Sequence, residues 1–132
     1  MSNLEDLVAI RTLIETYCDA VNQRNIDLYS ALWCDDATWV LNDNAISGKD
    51  AILETWTTAM SHFDYVFFMS MPGVINIIEP VANARIYVNE HVISQDGVER
   101  YIDGLYEDEL RKEQDGWKFL KRHYQIVREN RV

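Results

Sequence analysis

The chain has 132 residues, and 22 acidic against 12 basic side chains give it a formal charge of −10. That length suits one domain; a hydrophobic content of 48% with 4 Trp, 7 Tyr and 4 Phe supports a packed core and excludes a disordered or low-complexity chain. The acidic balance repels nucleic-acid phosphates and anionic lipid headgroups, so neither nucleic acid nor a membrane is an expected partner.

No apolar run approaches the roughly 20 residues of a membrane span, and the opening residues lack the basic and apolar regions of a signal peptide, so the cytoplasm is the expected location. Cys18 and Cys34 form no CxxC pair and read as reduced packing residues. No linker, repeat or charge block divides the sequence, and residues 1–132 are expected to form a single domain.

In chain order, Ser2 and Glu5 have capping-box spacing, and Leu7, Ile10, Ile14, Tyr17, Cys18 and Val21 recur at helical intervals, which predicts a helix over about 3–23. Asn25 caps a shorter helix with Ile26, Tyr29, Leu32 and Trp33 on its buried side, ending before an exposed Asp35-Asp36 turn. A short strand over 38–41 follows, then a polar turn over 42–48. Ser47 and Asp50 suggest a second capping box, opening a helix to about Met60 with Ile52, Trp56, Ala59 and Met60 turned inward.

Beyond that helix the sequence is rich in β-branched and aromatic residues, and Pro72-Gly73, Asp96-Gly97 and Asp115-Gly116 read as turns separating about four strands. Lys121, Arg122, Arg128 and Arg131 alternate with apolar residues and belong to the last strand, not to a nucleic-acid-binding arm. Helices first and strands last indicate an α+β fold in which an antiparallel sheet packs one face on the helices. The last three strands, about ten residues long, must twist and coil, and a curved sheet around the first helix leaves a cavity.

The first helix with Tyr17, the run from Asn25-Ile26-Asp27 through Leu32-Trp33-Cys34-Asp35-Asp36-Ala37-Thr38, Gly48-Lys49-Asp50-Ala51-Ile52, Tyr106-Glu107-Asp108 and Asp115-Gly116-Trp117-Lys118 together resemble the SnoaL-like group of the nuclear-transport-factor-2-like superfamily. The resemblance spans nearly the whole chain. It implies a cone of curved antiparallel sheet closed by three N-terminal helices, with a pocket between the first helix and the sheet. The superfamily includes ketosteroid isomerase, scytalone and bile-acid dehydratases, hexachlorocyclohexane dehydrochlorinase, polyketide cyclases and binding-only proteins, so fold alone does not assign function.

Alternation along the strand near 84–93 places Ala84, Ile86, Val88, Glu90 and Val92 on one inward face, interrupted by a single carboxylate. Burial raises a carboxyl pKa towards neutrality, which makes Glu90 the candidate base; the register resembles that of the bile-acid dehydratase. A slip of one residue would instead turn Asn89 or His91 inward. Tyr17 resembles the substrate-bonding tyrosine of the isomerase and dehydratases, Asp108 the isomerase aspartate that donates to a substrate oxygen, and Arg122 an arginine of the dehydrochlorinase pocket. Asp108 and Arg122 read equally well as a structural acid and its ion-pair partner. Substrate-binding candidates are Asn22, Trp56, Met69, Met71, His91, Tyr106 and Tyr124, with Phe67 and Phe68 as further cavity aromatics.

The sequence departs from the family's chemistry at three positions. Asn22 stands where the resemblance places the aspartate of a His-Asp pair, Met71 where it places the histidine, and Leu41 where it places the isomerase base. Neither an amide nor a thioether titrates usefully. The three histidines, His62, His91 and His123, lack metal-ligand spacing, and no dinucleotide, phosphate-loop, serine-hydrolase or zinc-peptidase motif is present, so neither metal nor cofactor is expected.

The expected function is a cofactor-independent lyase or isomerase, moving a proton in a dehydratase-like reaction on a small hydrophobic substrate of terpenoid, polyketide or steroid-like character. Glu90 would move the proton, with Tyr17, Asn22 and Arg122 holding developing charge. The alternatives are an epoxide hydrolase of the same fold and a non-catalytic small-ligand-binding module. Tyr87, Ile93, Tyr101, Phe119 and Val127, read as an outer apolar face, predict a homo-oligomer, dimer or trimer.

Overall fold

The computed structural model describes residues 3–131. Its elements are α1 (Asn3–Asn22), α2 (Ile26–Ala31), β1 (Trp33–Leu41), β2 (Asn44–Ser47), α3 (Lys49–Ser61), β3 (Phe63–Ile78), β4 (Val81–Ser94), β5 (Glu99–Glu113) and β6 (Gly116–Arg131). The strands form one sheet in the order β2-β1-β6-β5-β4-β3, in which every pairing is antiparallel except β1 with β6. Strands β3 to β6 run to between 14 and 16 residues, longer than the sequence suggests. At that length twist accumulates into curvature, and the unclosed sheet makes the cone of the expected α+β fold.

Helix α1 buries Ile10, Leu13, Ile14, Tyr17, Ala20 and Val21 and packs on β3 and β6. Both its ends are stitched to the sheet by side chains. Near the start, Asp6 is buried and accepts a 2.9 Å hydrogen bond from the Trp117 indole, with Lys112 Nζ at 3.0 Å. At the end, the Asn22 amide donates to the Phe68 carbonyl and accepts from the Phe68 N–H, both at 2.7 Å, as a strand neighbour would. The capping box expected at Ser2 lies outside the described residues.

Several boundaries differ from the sequence reading, each for a local reason. Asn25 caps α2 as expected, accepting from Leu28 N, but the helix ends at Ala31 and Trp33 opens β1. Trp33 pairs with Phe119, and Asp35 and Asp36 sit in the irregular part of that strand, where Arg111 binds Asp36. The polar stretch after Leu41 is a tight hairpin: Asn42, at φ 56°, turns the chain so that Asn44–Ser47 pairs back as β2. Asparagine tolerates that left-handed conformation better than most residues. Ser47 is thus held in a strand, and α3 starts from Gly48, at φ 90°, with no side-chain cap.

The Pro72-Gly73 turn is also corrected. Strand β3 runs through it, absorbing the pair in a register shift between Pro72 and Ile75, and the chain reverses instead at Glu79-Pro80. Proline is tolerated there because β3 is an edge strand and the register is already irregular after Pro72. In β6 the extra residue Leu120, where the register with β5 shifts between Glu109 and Leu110, breaks the alternation. Phe119 and Arg122 consequently both point inward, and Phe119 is buried, not part of the outer face. Tyr87, Tyr101 and Val127 are exposed as expected, whereas Ile93 is half-buried.

The interior also holds a buried ion pair. Arg122 Nε and Nη2 donate to the two Asp108 carboxylate oxygens at 2.8 and 3.0 Å, and both residues are buried. The guanidinium carbon lies 3.7 Å from the Tyr106 ring centroid, 4.1 Å from Phe119 and 4.3 Å from Tyr17, so aromatic faces cover the cation where carboxylate does not. Burial opposes the Arg122 charge, but the Asp108 carboxylate beside it outweighs that and holds the group protonated. Removing only the carboxylate strands the cation in the core. Asp108→Asn should therefore cost about 3–5 kcal/mol in urea unfolding, and Asp108→Leu with Arg122→Met should recover most of that loss. A single-variant loss below about 1 kcal/mol, the ordinary worth of an exposed pair, would contradict this account.

Candidate functional site

Between the helices and the inner sheet face lies a cavity of ≈ 290 Å³. Tyr17 and Val21 of α1, Trp56, Ala59 and Met60 of α3 and Trp39 and Leu41 of β1 wall it on one side. The sheet contributes Phe63, Val66, Phe68, Glu90, Val92, Ile102, Tyr106, Tyr124 and Ile126, with Asn42 and Arg100 completing the lining. Periodicity explains why these side chains meet: every second residue of β4 and β5 faces inward, and Trp56 and Met60 share one face of α3.

Among the described residues Glu90 is the only carboxylate on this lining. Its neighbours along the inner face of β4, Ala84, Ile86, Val88 and Val92, are all buried and apolar. Burial pushes the Glu90 carboxyl above its ordinary value, opposed by the hydrogen bond donated by Tyr124 Oη and by the positive field of Arg100. The phenol donates to the carboxylate, so Tyr124 itself is held well above the usual tyrosine range by burial and by that neighbour.

Three further hydroxyls form a deeper network. Tyr17 Oη lies 3.3 Å from both Tyr106 Oη and Tyr29 Oη. The Tyr106 and Tyr124 rings meet at 4.7 Å, which brings this network against the Glu90–Tyr124 pair. Burial raises the pKa of Tyr17, Tyr29 and Tyr106, so each stays a neutral donor, with Arg122 directly behind Tyr17 and Tyr106. Such phenols can hydrogen-bond a carbonyl or hydroxyl oxygen that gains negative charge.

The structure thus brings Glu90, Tyr17, Trp56, Tyr106 and Tyr124 to one cavity, and it separates the others. Asp108 and Arg122 pair with each other beneath it and are absent from its lining. Asn22 spends its amide on the Phe68 backbone. Met69 and Met71, at 57% and 70% exposure, lie on the outer face of β3 with Phe67 and do not line the cavity. The main chain opposite the Asn22 amide is that of Phe68, so Asn22 and Met71 are not partners. His91 also points outward, bonded to Glu99 and stacked on Tyr101 at 4.2 Å.

Sequence reasoning missed Arg100 and Trp39 as cavity residues. The signal for Arg100 was present, because it sits two residues before Ile102 on the alternating inner face. Away from the cavity, Cys34, Asp36 and Glu113 place possible metal-ligand atoms within 4.8 Å of one another. Arg111 occupies that cluster, donating to Asp36 at 2.6 Å and Glu113 at 2.7 Å, and burial pushes the Cys34 thiol up to about 12.

Gly104 makes the Glu90–Tyr124 contact possible. It lies between Val88 and Ile126 in the ladder, and the Tyr124 ring crosses it to reach β4; a Cβ there would overlap the hydroxyl and stand 2.6 Å from Cζ. Gly104→Ala should therefore displace Tyr124 from Glu90 and cost about 1–3 kcal/mol in urea unfolding. A stability within 0.5 kcal/mol of wild type, roughly the effect of a neutral surface change, would show that the ring is not so constrained.

The Glu90 shift also has a sign in solution. With the folded pKa above the unfolded reference of 4.5, the stability linked to protonation is fully present below about 4.5 and is lost as pH rises through the folded value. Glu90→Gln, which is always neutral, should gain stability relative to wild type as pH rises over that window. Thermal unfolding from pH 4 to 8 measures this, and a gap that stays constant or narrows with rising pH would contradict it.

A family model described as a SnoaL-like domain matches residues 2–123. Among curated proteins none matches the chain. Among solved structures, a provisionally assigned aromatic ring hydroxylase from Novosphingobium aromaticivorans is 22% identical with a TM-score of 0.90, over 100% of this chain and 96% of that one. A type 2 hexachlorocyclohexane dehydrochlorinase is 16% identical with a TM-score of 0.91, over 98% and 90%. A provisionally assigned scytalone dehydratase from Novosphingobium aromaticivorans is 21% identical with a TM-score of 0.89, over 97% and 88%. These likenesses establish the fold, and the match over residues 2–123 establishes that the chain belongs to the SnoaL-like domain family.

Proposed function

We propose that the cavity is the active site of a cofactor-independent lyase or isomerase that moves a proton on a small hydrophobic substrate. The observation that carries this reading is the carboxyl of Glu90, raised in pKa and facing a cavity whose walls are mostly apolar and aromatic, with Asn42 and Arg100 as its other non-aromatic polar side chains among the described residues. In the ionised form Glu90 takes a proton from a carbon or hydroxyl of the substrate, and the buried acid then returns it at the leaving group or a new carbon. Tyr124 orients the carboxylate. Tyr106 and Tyr17 donate to the oxygen on which charge develops, and the Arg122 cation behind their rings steadies that charge without touching substrate.

Support also comes from the named chemistry of the similar structures, a dehydrochlorinase and a provisional dehydratase. Both names describe eliminations, but Asn22 beside Phe68 supplies no titrating pair, so the proton-transfer step is assigned to Glu90. Screening β-hydroxycarbonyl and allylic carbonyl compounds of terpenoid, polyketide and steroid-like size should find water loss or double-bond migration. Glu90→Gln should slow that turnover at least about 100-fold. Near-normal turnover by the variant would remove Glu90 from the role, and binding without conversion by the wild type would favour a ligand-binding module.

Self-association belongs to the same proposal. Its support is the outer sheet face, where Phe67, Met69 and Met71 of β3 lie exposed beside Tyr87 and Tyr101, a larger apolar surface than scattered single residues leave on a monomer. Sedimentation equilibrium should show a dimer or trimer, and a monomer at working concentration would contradict it.

A further inference from the structure

Arg100 is the one cationic side chain on the cavity lining among the described residues. Its side chain is only 23% exposed, yet no described residue accepts a hydrogen bond from its guanidinium. Its nearest carboxylate, Glu129, stands 3.6 Å away, too far for a good hydrogen bond, and is itself engaged by Arg131 at 3.0 Å. The Phe63 ring, 5.8 Å from the guanidinium carbon, gives it a weak aromatic flank. A guanidinium carries five donors in a planar fork that matches a carboxylate. Leaving those donors unfilled beside an apolar cavity is unfavourable unless water or a ligand fills them.

The rest of the cavity fits the other half of such a ligand. Trp56, Phe63, Val66, Phe68, Val92 and Ile102 offer an apolar and aromatic wall, and Arg100 stands at its partly solvated edge. Arg122, the other arginine near the cavity, is no competitor: it is fully buried, absent from the cavity lining and paired with Asp108 through Nε and Nη2, although its Nη1 has no hydrogen-bond partner among the described residues.

We infer that the cavity takes an amphipathic acid, with a ring-sized apolar body inside and a carboxylate paired with Arg100 at the edge. The chain is strongly acidic overall, so a carboxylate ligand is repelled at long range and is selected by this short-range fork, not by steering. The inference concerns binding alone and stands apart from the assignment of Glu90 as the proton-transfer group.

The experiment compares 2-naphthoate with its neutral isostere 2-naphthamide, reading quenching of the cavity tryptophans Trp39 and Trp56. Wild type should bind the acid at least tenfold more tightly than the amide. Arg100→Gln should abolish that preference while leaving amide affinity within about twofold, and Arg100→Lys should retain part of it, since an ammonium keeps the charge but loses the fork. Glu129→Gln, which removes the rival carboxylate, should tighten acid binding. Equal affinity for the two probes in wild type, a preference that survives Arg100→Gln, or no binding of either probe would overturn the inference. Glu90→Gln should still bind naphthoate, so loss of turnover and loss of acid selectivity report separately on the two assignments.

Discussion

Four ionisable side chains, Glu90, Arg100, Asp108 and Arg122, project from the inner face of β4, β5 and β6, and the fold accommodates the two carboxyls among them in different ways. Asp108 and Arg122 form a bidentate pair through Nε and Nη2, with three aromatic rings against the cation and Nη1 without a hydrogen-bond partner among the described residues. Glu90 has only a phenol as its hydrogen-bond partner, and Arg100 acts on it through its field. A phenolic hydrogen bond does not offset the lost hydration of a carboxylate as a bound guanidinium does. Burial raises the proton affinity of both carboxyls, and what separates them is access: Glu90 lines the cavity, whereas Asp108 is held by Arg122 away from its lining.

Packing explains why the two kinds of site stay separate though they lie close together. Tyr106 and Tyr17 stand between the buried pair and the cavity, each with a ring on Arg122 and a hydroxyl in the phenol network. The positive charge is thereby felt in the cavity but not exposed to it. On the other side, Gly104 leaves room for the Tyr124 ring to lie across β5, which a side chain at that position would occupy. The sheet's long strands matter for the same reason: they carry both the buried pair and the cavity on one continuous inner face.

Much of this arrangement is legible in the sequence, because period-two alternation survives wherever the ladder is regular. Glu90 among Ala84, Ile86, Val88 and Val92, and Asp108 among Ile102, Tyr106 and Leu110, point where alternation places them. The reading of Asp108 and Arg122 as mutual partners also matches the structure. Errors concentrate where the backbone departs from regularity. The extra residue Leu120 turns Phe119 inward, and β3 passes through Pro72-Gly73 as a bulged edge strand, a local feature that a turn signature imitates. Met69 and Met71 follow the same lesson, since hydrophobic character alone does not say which face of an edge strand packs on the core. Asn22 was placed correctly on α1, but its hydrogen bonds to the Phe68 backbone depend on a crossing that no local pattern encodes.

The proposed proton transfer depends most on the proton affinity of one carboxyl in the folded chain, and that quantity is directly measurable. Carbon-13 NMR titration of the glutamate side-chain carboxyls, with the Glu90 resonance assigned by its loss in Glu90→Gln, reads it without any substrate. A Glu90 midpoint clearly above the ordinary glutamate value of about 4.3 is the predicted result. A midpoint at or below that value would mean that the carboxyl is well solvated or well paired, and the cavity would then lack its proton-transfer group.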